Sequence, residues 1–181
     1  MFWTKNKDNK KPGTTLIGIS IDGIAALGTD YTEEKADGDE IGVVESFDGG
    51  LIGFTGPRDG EEFLQKSLEI LAGAEDHSEV ISEISKLWEE DASESAKLAI
   101  LCEAGDCIVI EKGVAKPVDS KVIALGPGEE YALAAIRAVL SQSEITETPR
   151  EIVAKAFKVA SGVCVLVNPE AKIICTDGDN E

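Results

Sequence analysis

The order of strand-like and helix-like segments predicts an α+β fold, in which two helix pairs cover two stacked antiparallel sheets. The segments follow one another as strands, two helices, strands, two helices, strands. The strand-like runs are short, apolar and bounded by turn residues, whereas apolar residues recur at helical spacing in the longer segments. Strands and helices that segregate along a chain pack as layers, and the four-layer sandwich αββα is the most economical arrangement.

The length and the charge of the chain indicate a leader followed by a single domain. With 181 residues, the chain suits one domain with a substantial core. We assign residues 1–13 to a flexible basic leader or propeptide and residues 14–181 to the domain. The leader carries four lysines and one aspartate, a net +3, so its removal would change the net charge from −18 to −21.

The first half of the domain begins with two predicted hairpins. The first turns at Asp22-Gly23, a dipeptide typical of two-residue hairpin loops. An acidic loop over Tyr31–Gly42 separates it from the second hairpin. Apolar residues then recur at helical spacing over 63–71 and 80–88, which predicts two antiparallel helices. The predicted strands are Thr15–Ile21, Ile24–Thr29, Val43–Phe47 and Leu51–Thr55.

The second half is predicted to contain a hairpin, a short buried strand, two helices and two final strands. Pro149 marks the start of the second helix, because proline is favoured in a first helical turn. The predicted elements are strands Lys97–Glu103, Cys107–Glu111 and Val122–Leu125, helices Glu129–Ser141 and Pro149–Ala160, and strands Val163–Val167 and Lys172–Thr176.

The acidic composition argues against two classes of partner. Acidic residues number 35 against 17 basic ones. A surface this negative repels nucleic-acid phosphates and anionic membranes, so we predict neither as a partner. No apolar run approaches the length of a membrane-spanning helix, and the leader lacks the apolar core of a signal peptide. A cytoplasmic location is therefore the default prediction.

The cysteines and the single histidine do not suggest a zinc site. None of the four cysteines forms a Cys-x-x-Cys pair, and His77 has no nearby partner. Cys102 and Cys107 flank a predicted hairpin turn and could face each other. Buried free thiols are the favoured interpretation, because disulfides are rare in the cytosol.

The segment from Gly13 to Asp30 carries the main functional signal. It contains a Gly-Thr-Thr start, and Asp30 follows the second strand, so Thr14 and Asp30 could lie together on adjacent strands. A threonine hydroxyl is a weak nucleophile that needs a base beside it. Cleavage of the Gly13–Thr14 bond would create an α-amine with a pKa of roughly 7.7–8.0, which can be that base. The alternative interpretation is that Gly-Thr-Thr simply begins an edge strand.

Together with three later stretches, this segment resembles the bacterial HslV peptidases, simple relatives of the proteasome β subunit. The stretches are LIGFTG (51–56), VIALGPGEEYALAAIRAVL (122–140) and EIVAKAFKVASGVCVLVN (151–168). The resemblance implies the αββα sandwich of the N-terminal-nucleophile hydrolases. It also implies a threonine-type endopeptidase subunit in a ring of identical chains, which an ATP-dependent unfoldase supplies with polypeptide substrates. No cofactor is implied, although relatives bind a cation through backbone carbonyls around the Cys164 stretch.

The resemblance also implies roles for individual residues. Thr14 is the implied nucleophile, and Asp30 would orient its surroundings electrostatically. Gly56 would offer a backbone N–H to the developing oxyanion, since a fixed N–H costs little reorganisation. An ordinary strand-to-helix turn is the alternative for Gly56, which Pro57 at a helix start supports equally. Ser161 could supply a hydroxyl near this site.

Three positions depart from the family pattern. The family has a lysine that lowers the pKa of the catalytic amine, but Lys35 comes too early in this chain to match it. Pro127 stands where the family has a serine, and Lys158 stands where it has an acidic residue. Catalysis could therefore be lost, leaving a non-catalytic structural or assembly protein that retains its leader. Alternatively, Lys158 could restore a cation near Thr14, although a plain surface lysine is the simpler interpretation.

Overall fold

The computed structural model describes residues 14–30, 40–72, 77–91, 96–103, 105–118 and 121–178. A 3₁₀ turn at Arg58–Gly60 connects the second hairpin to the first helix. In chain order the elements are β1 (Leu16–Ile21), β2 (Ile24–Thr29), β3 (Glu40–Phe47), β4 (Gly50–Pro57), α1 (Glu61–Ala72), α2 (His77–Asp91), β5 (Lys97–Cys102), β6 (Cys107–Glu111), β7 (Val114–Pro117), β8 (Val122–Leu125), α3 (Glu129–Leu140), α4 (Pro149–Val163) and β9 (Lys172–Cys175).

The strands form two antiparallel sheets. The first sheet has the order β8-β1-β2-β9, and the second has the order β3-β4-β5-β6-β7. In the first sheet, β1 pairs with β2 on one side and with β8 on the other. The chain therefore returns to the first sheet only after it has completed the second, which brings β8, α3 and α4 beside the start of β1.

Three groups of buried side chains separate four layers. Phe157 belongs to the group that packs α3 and α4 against the first sheet. Phe63 and Trp88 belong to the group that packs α1 and α2 against the second sheet. Leu27 and Leu101 lie in the third group, between the two sheets. The layer order is helix, sheet, sheet, helix, and the predicted αββα sandwich is confirmed.

β1 is central in the first sheet and is buried on both faces. Its Ile17 and Ile19 side chains join the helix-side group, while Leu16 joins the group between the sheets. At Gly18 a Cβ atom would come within 2.8 Å of Leu101 and Leu27 side-chain carbons, so this glycine lets the two sheets approach closely. A strand covered on both faces is mostly apolar, and Ser20 is the one polar residue of β1.

Helix α4 begins as predicted but ends later, and the predicted strand Val163–Val167 is wrong. Val163 is the last residue of the helix, and the Val167 N–H donates to the Cys164 carbonyl at 3.1 Å in the turn that follows. The run of β-branched residues indicated a strand, but a short apolar run cannot be distinguished from a buried helix end by its pattern. Only β9 closes the sheet, by pairing with β2.

Two further boundaries differ from the sequence prediction. β3 begins at Glu40, so three residues of the predicted acidic loop belong to a strand, while residues 31–39 lie outside the described residues. β7 was not predicted, because this edge strand is largely exposed and lacks an apolar alternation. None of the helices in the described part of the chain is long and apolar enough to cross a membrane.

The four cysteines are free, as favoured from the sequence. Cys102 packs in the group beneath α1 and α2, whereas Cys107 packs between the sheets. The two thiols therefore lie on opposite faces of the second sheet. Burial, with smaller contributions from Cys102 and Asp106, raises the pKa of the Cys107 thiol to about 11. A thiol that stays protonated near neutral pH is a poor nucleophile.

Candidate active site

The β1–β2 hairpin places Thr14 and Asp30 at the same end of the first sheet. Asp22 and Gly23 adopt positive φ values of 51° and 83°, as a tight two-residue turn requires. The resulting register pairs Leu16 with Thr29, and the Asp30 N–H continues the pairing by donating to the Thr15 carbonyl at 3.3 Å. Thr14 is therefore next in sequence to Thr15, whose carbonyl pairs with Asp30.

The Asp30 carboxylate connects three segments around this point. It is 1% exposed, and its Oδ1 accepts a hydrogen bond from the Thr15 N–H at 2.8 Å. Its Oδ2 accepts from the Asn168 N–H at 2.9 Å. Hydrogen bonds from backbone N–H groups favour the ionised carboxylate. Asp30 therefore holds the backbone directly after Thr14 against the segment that joins α4 to β9.

The carbonyl group of Thr14 is held from the second sheet. The Thr55 Oγ1 hydroxyl donates to the Thr14 carbonyl at 3.1 Å, and both residues are 6% exposed. Thr55 lies in β4, directly before Gly56. This contact crosses between the two sheets and holds the peptide unit between Thr14 and Thr15 near Gly56, the predicted oxyanion donor.

A glycine-containing loop packs against the backbone of Thr14. Gly126 has a φ of +100°, and a Cβ atom there would lie 2.3 Å from the Thr14 carbonyl oxygen. At Gly128 a Cβ atom would lie 2.4 Å from the Val167 side chain. Both positions therefore exclude a side chain. The loop around Pro127 packs on the start of β1 and leads directly into α3.

Gly56 occupies a position that only glycine can adopt without strain. Its φ is +155°, and a Cβ atom would lie 2.7 Å from the Ala96 Cα. It directly follows Thr55, whose hydroxyl binds the Thr14 carbonyl. The donor role of its N–H stays a prediction.

Lys158 and Ser161, the other two predicted site residues, lie on α4 and do not contact Thr14 by hydrogen bond or ion pair. Lys158 is exposed, and its ammonium group forms no ion pair with a described residue. The Ser161 hydroxyl donates to the Lys158 carbonyl at 3.0 Å, within its own helix. Lys35 lies outside the described residues.

The sequence offered no signal for three contributors to this cluster. Thr55 resembles any β-branched strand residue, and Asn168 contributes through its backbone N–H. Thr15 is fully buried, and its hydroxyl has no hydrogen-bond partner among the described residues. Buried polar atoms without a partner are uncommon and require an explanation, such as an ordered water or a functional role.

The described residues contain no group of three or more His, Cys, Asp and Glu side chains that could hold a metal ion. Backbone oxygens near Cys164 are a different kind of ligand. The Cys164 carbonyl accepts one hydrogen bond, from Val167, and a carbonyl oxygen has two lone pairs. The Cys164 carbonyl therefore keeps one lone pair that a cation could use, and the cation that the resemblance implies stays a prediction.

Comparison with solved structures shows which known proteins share this fold. HslV from Trypanosoma brucei superposes with a TM-score of 0.70 at 18% identity, covering 89% of this chain and 98% of its own. Thiobacillus denitrificans BPH gives a TM-score of 0.64 at 14% identity, with 90% and 97% coverage. Anbu from Yersinia bercovieri gives 0.62 at 9% identity, with 89% and 80% coverage. The fold is that of the N-terminal-nucleophile hydrolases.

Two curated relatives are similar to this chain in sequence. The ATP-dependent protease subunit HslV of Sulfurovum sp. (strain NBC37-1) is 28% identical over 175 residues, which span 89% of this chain and 97% of the relative. The subunit of the same name from Campylobacter concisus (strain 13826) is 30% identical over 122 residues, with 61% and 63% coverage. No family model matches the chain. In sequence and in fold, the chain is similar to the HslV peptidases.

Proposed function

We propose that this chain is a threonine-type peptidase subunit, whose nucleophile is Thr14 after cleavage of the Gly13–Thr14 bond. The observation that carries the proposal is the position of Thr14 at the start of β1. There its carbonyl is bound by Thr55 and the next N–H is bound by Asp30. Threonine needs a base within reach, and its own α-amine supplies one only when it is the first residue.

The proposed reaction uses two groups of Thr14. Its hydroxyl oxygen bonds to the carbonyl carbon of the substrate peptide while the α-amine takes the hydroxyl proton. The Gly56 N–H stabilises the oxyanion that forms, and the amine then gives its proton to the leaving nitrogen as the peptide bond breaks. Water activated by the same amine hydrolyses the resulting ester. Asp30 keeps the backbone of Thr14 and Thr15 in place throughout.

Intact-mass measurement of Thr14→Ala beside the unaltered protein tests this proposal. The full chain has a mass of 19.2 kDa, and the processed chain begins at Thr14. We expect the unaltered protein to lose residues 1–13 and to cleave peptides, and Thr14→Ala to do neither. The reason is that both reactions need the hydroxyl. Thr14→Ser is the matched control, since it keeps a hydroxyl at the same position.

Two results would contradict the proposal in different ways. Undiminished peptide cleavage by Thr14→Ala would assign the activity to another residue. A full-length mass without any turnover would instead support the non-catalytic alternative, a structural or assembly protein with its leader retained. Pro127 and Lys158, at two of the departing positions, motivate that alternative.

We propose that identical chains form a ring in the cytoplasm and that an ATP-dependent unfoldase delivers polypeptides to it. Both curated relatives are named as subunits of an ATP-dependent protease, which supports an assembly of this kind.

We also propose that a cation binds the backbone carbonyls around Cys164. A melting temperature that rises on addition of a salt of that cation, relative to a bulky organic cation at equal ionic strength, would support this site. An unchanged value would exclude it.

A further inference from the structure

The nucleophile and the oxyanion donor of the proposed reaction belong to different sheets. Thr14 directly precedes the strand β1 pairing in the first sheet, whereas Gly56 lies in β4 of the second. The distance between the two groups therefore depends on how the sheets are held together at this end of the sandwich. A misplacement of about 1 Å can lower an enzymatic rate by roughly 100-fold. A contact that joins the sheets at this point therefore bears directly on catalysis.

Thr55 makes a contact of this kind. Its hydroxyl donates from β4 to the Thr14 carbonyl at 3.1 Å, one residue before Gly56. Leu51, on the same face of β4, packs in the apolar group between the sheets. The Thr55 hydroxyl therefore bonds at the edge of an apolar layer, where a hydrogen bond is electrostatically stronger than in water.

The peptide unit after Thr14 is held at both of its polar ends. Its carbonyl accepts from Thr55, and its N–H, which belongs to Thr15, donates to the Asp30 carboxylate at 2.8 Å. A peptide unit is planar and includes the Cα atoms on both sides. Two bonds to one plane therefore fix the Thr14 Cα atom, which carries both the amine and the side chain of the proposed nucleophile.

Asp30 and Thr55 hold this plane from different sides. Asp30 binds the Thr15 N–H and the Asn168 N–H, so it holds the plane relative to the first sheet and the segment after α4. Thr55 binds from the second sheet, which carries Gly56. The resemblance to the HslV peptidases implies roles for Asp30 and Gly56 but none for Thr55.

We propose that Thr55 is a positioning residue, whose hydroxyl sets the distance between the Thr14 hydroxyl and the Gly56 N–H. It acts through the Thr14 carbonyl and not on the substrate. Cleavage of the Gly13–Thr14 bond leaves this carbonyl in place, so the same contact serves the precursor and the processed chain. The inference rests on the proposed function, because it requires Thr14 to be the nucleophile.

Peptide cleavage by Thr55→Val and Thr55→Ser tests this role. Valine has nearly the shape of threonine but lacks the donor, whereas serine keeps a hydroxyl. We expect Thr55→Val to lower kcat roughly 10- to 100-fold with little change in KM, since the lost contact positions the reacting groups and does not bind substrate. Thr55→Ser should recover most of the lost rate.

Thr148→Ala is the control for a general loss of stability. Thr148 caps the start of α4 and accepts a hydrogen bond from the Glu151 N–H, so its substitution also removes one hydrogen bond. The helix has 15 residues, which places this cap about 22 Å along α4 from its end at Val163. We expect Thr148→Ala to keep the kcat of the unaltered protein.

Inhibition by a peptide aldehyde separates positioning from a loss of folded protein. The Thr14 hydroxyl oxygen bonds to the aldehyde carbon, and the hydroxyl proton passes to the aldehyde oxygen, which then lies at the oxyanion donor as in the transition state. We expect Thr55→Val to weaken this inhibition by about the factor by which kcat/KM falls. Inhibition by the corresponding peptide alcohol should stay unchanged, because an alcohol carbon cannot be attacked in this way.

The possible outcomes distinguish this inference from the proposed function. Equal losses of kcat in Thr55→Val and Thr148→Ala would overturn the inference, and so would an aldehyde that inhibits Thr55→Val as strongly as the unaltered protein. Cleavage by Thr55→Val at the rate of the unaltered protein would overturn this inference alone. An unaltered protein without any turnover would overturn the proposed function and this inference together.

Discussion

The hydroxyls of Thr15 and Thr55 lie close to the same site but differ in their partners, and this difference predicts opposite effects on stability. Thr15→Val removes a buried hydroxyl that has no partner in the described part of the chain. Thr55→Val removes the donor to the Thr14 carbonyl. We expect the first to raise the free energy of unfolding by roughly 1 kcal/mol and the second to lower it by about the same amount.

Urea unfolding of both variants and the unaltered protein provides the measurement. The valine side chain has nearly the shape of threonine, so each change in the midpoint reflects the lost hydroxyl. A loss of stability in Thr15→Val as large as that in Thr55→Val would mean that an unseen partner, such as a buried water, satisfies the Thr15 hydroxyl.

The pH dependence of peptide cleavage is a second prediction at the residue scale. In the proposed function, the α-amine of Thr14 acts as a base only when it is neutral, and no lysine of this chain matches the one that lowers the pKa of this amine in the HslV family. We therefore expect the rate to rise through roughly pH 7.7–8.0, the ordinary range of an α-amine. Exposed Lys158 has no ion pair among the described residues, so we expect Lys158→Met to leave the rate profile unchanged.

Lys155→Met is the control for Lys158→Met, because Lys155 lies on the same helix. The Lys155 ammonium group pairs with the Glu147 carboxylate at 2.7 Å. A profile that moves to higher pH in Lys158→Met alone would establish that Lys158 replaces the missing cation. A rate already at its plateau at pH 6.5 would contradict the alkaline shift altogether.

A contact between two residues was predictable where it follows from the local sequence between them. Thr14 and Asp30 could be paired from the sequence, because a two-residue turn at Asp22-Gly23 fixes the register of the strands beside it. The contacts of Thr55 and Asn168 cross between elements that are distant in the chain. No local pattern encodes such a contact, and a backbone donor leaves no trace in the residue type.

At the scale of elements, the start of α4 supports a stability prediction. The Thr148 side chain accepts from the Glu151 N–H at 3.3 Å, and the Glu151 carboxylate accepts from the Thr148 N–H at 2.8 Å. Thr148→Ala removes the first bond of this capping box and should lower the free energy of unfolding by about 1 kcal/mol.

Thr146→Ala is the matched control for the cap. The Thr146 hydroxyl is exposed and contacts only the Glu147 carboxylate, at 3.5 Å. Its loss should change the urea midpoint by no more than a few tenths of the effect of Thr148→Ala. Equal midpoints for the two variants would show that the capping box does not stabilise α4.

The two ends of α4 show why element boundaries differ in predictability. Pro149 marked the beginning, because its missing N–H is harmless only in a first turn. The other end carries Val163, Val165 and Val167, which have strand-like side chains. Their conformation depends on tertiary contacts, such as the packing of Val167 against the backbone at Gly128, which local propensity does not include.

At the scale of the whole molecule, the layer order followed from the alternation of strand and helix runs. A sheet cannot bury both of its faces alone, and each helix pair has one apolar side. Stacking the two sheets between the two helix pairs therefore buries the apolar faces of all four layers. The strand order was not accessible in this way. β8 joins β1 and β9 joins β2, and these pairings link segments that lie far apart in the chain.

The charge of the whole molecule leads to the last prediction, on assembly. Identical chains of net charge −18 repel one another, and removal of the leader would increase the charge to −21. Salt screens this repulsion, with a Debye length of about 10 Å at 0.1 M and about 3 Å at 1 M. We therefore expect light scattering at micromolar concentration to give the mass of a ring, with the assembled fraction increasing from low to high salt. The same measurement with potassium chloride and sodium sulfate at equal ionic strength separates screening from a specific ion effect. A monomer mass at every salt concentration would contradict the proposed ring, because no remaining electrostatic barrier could explain it.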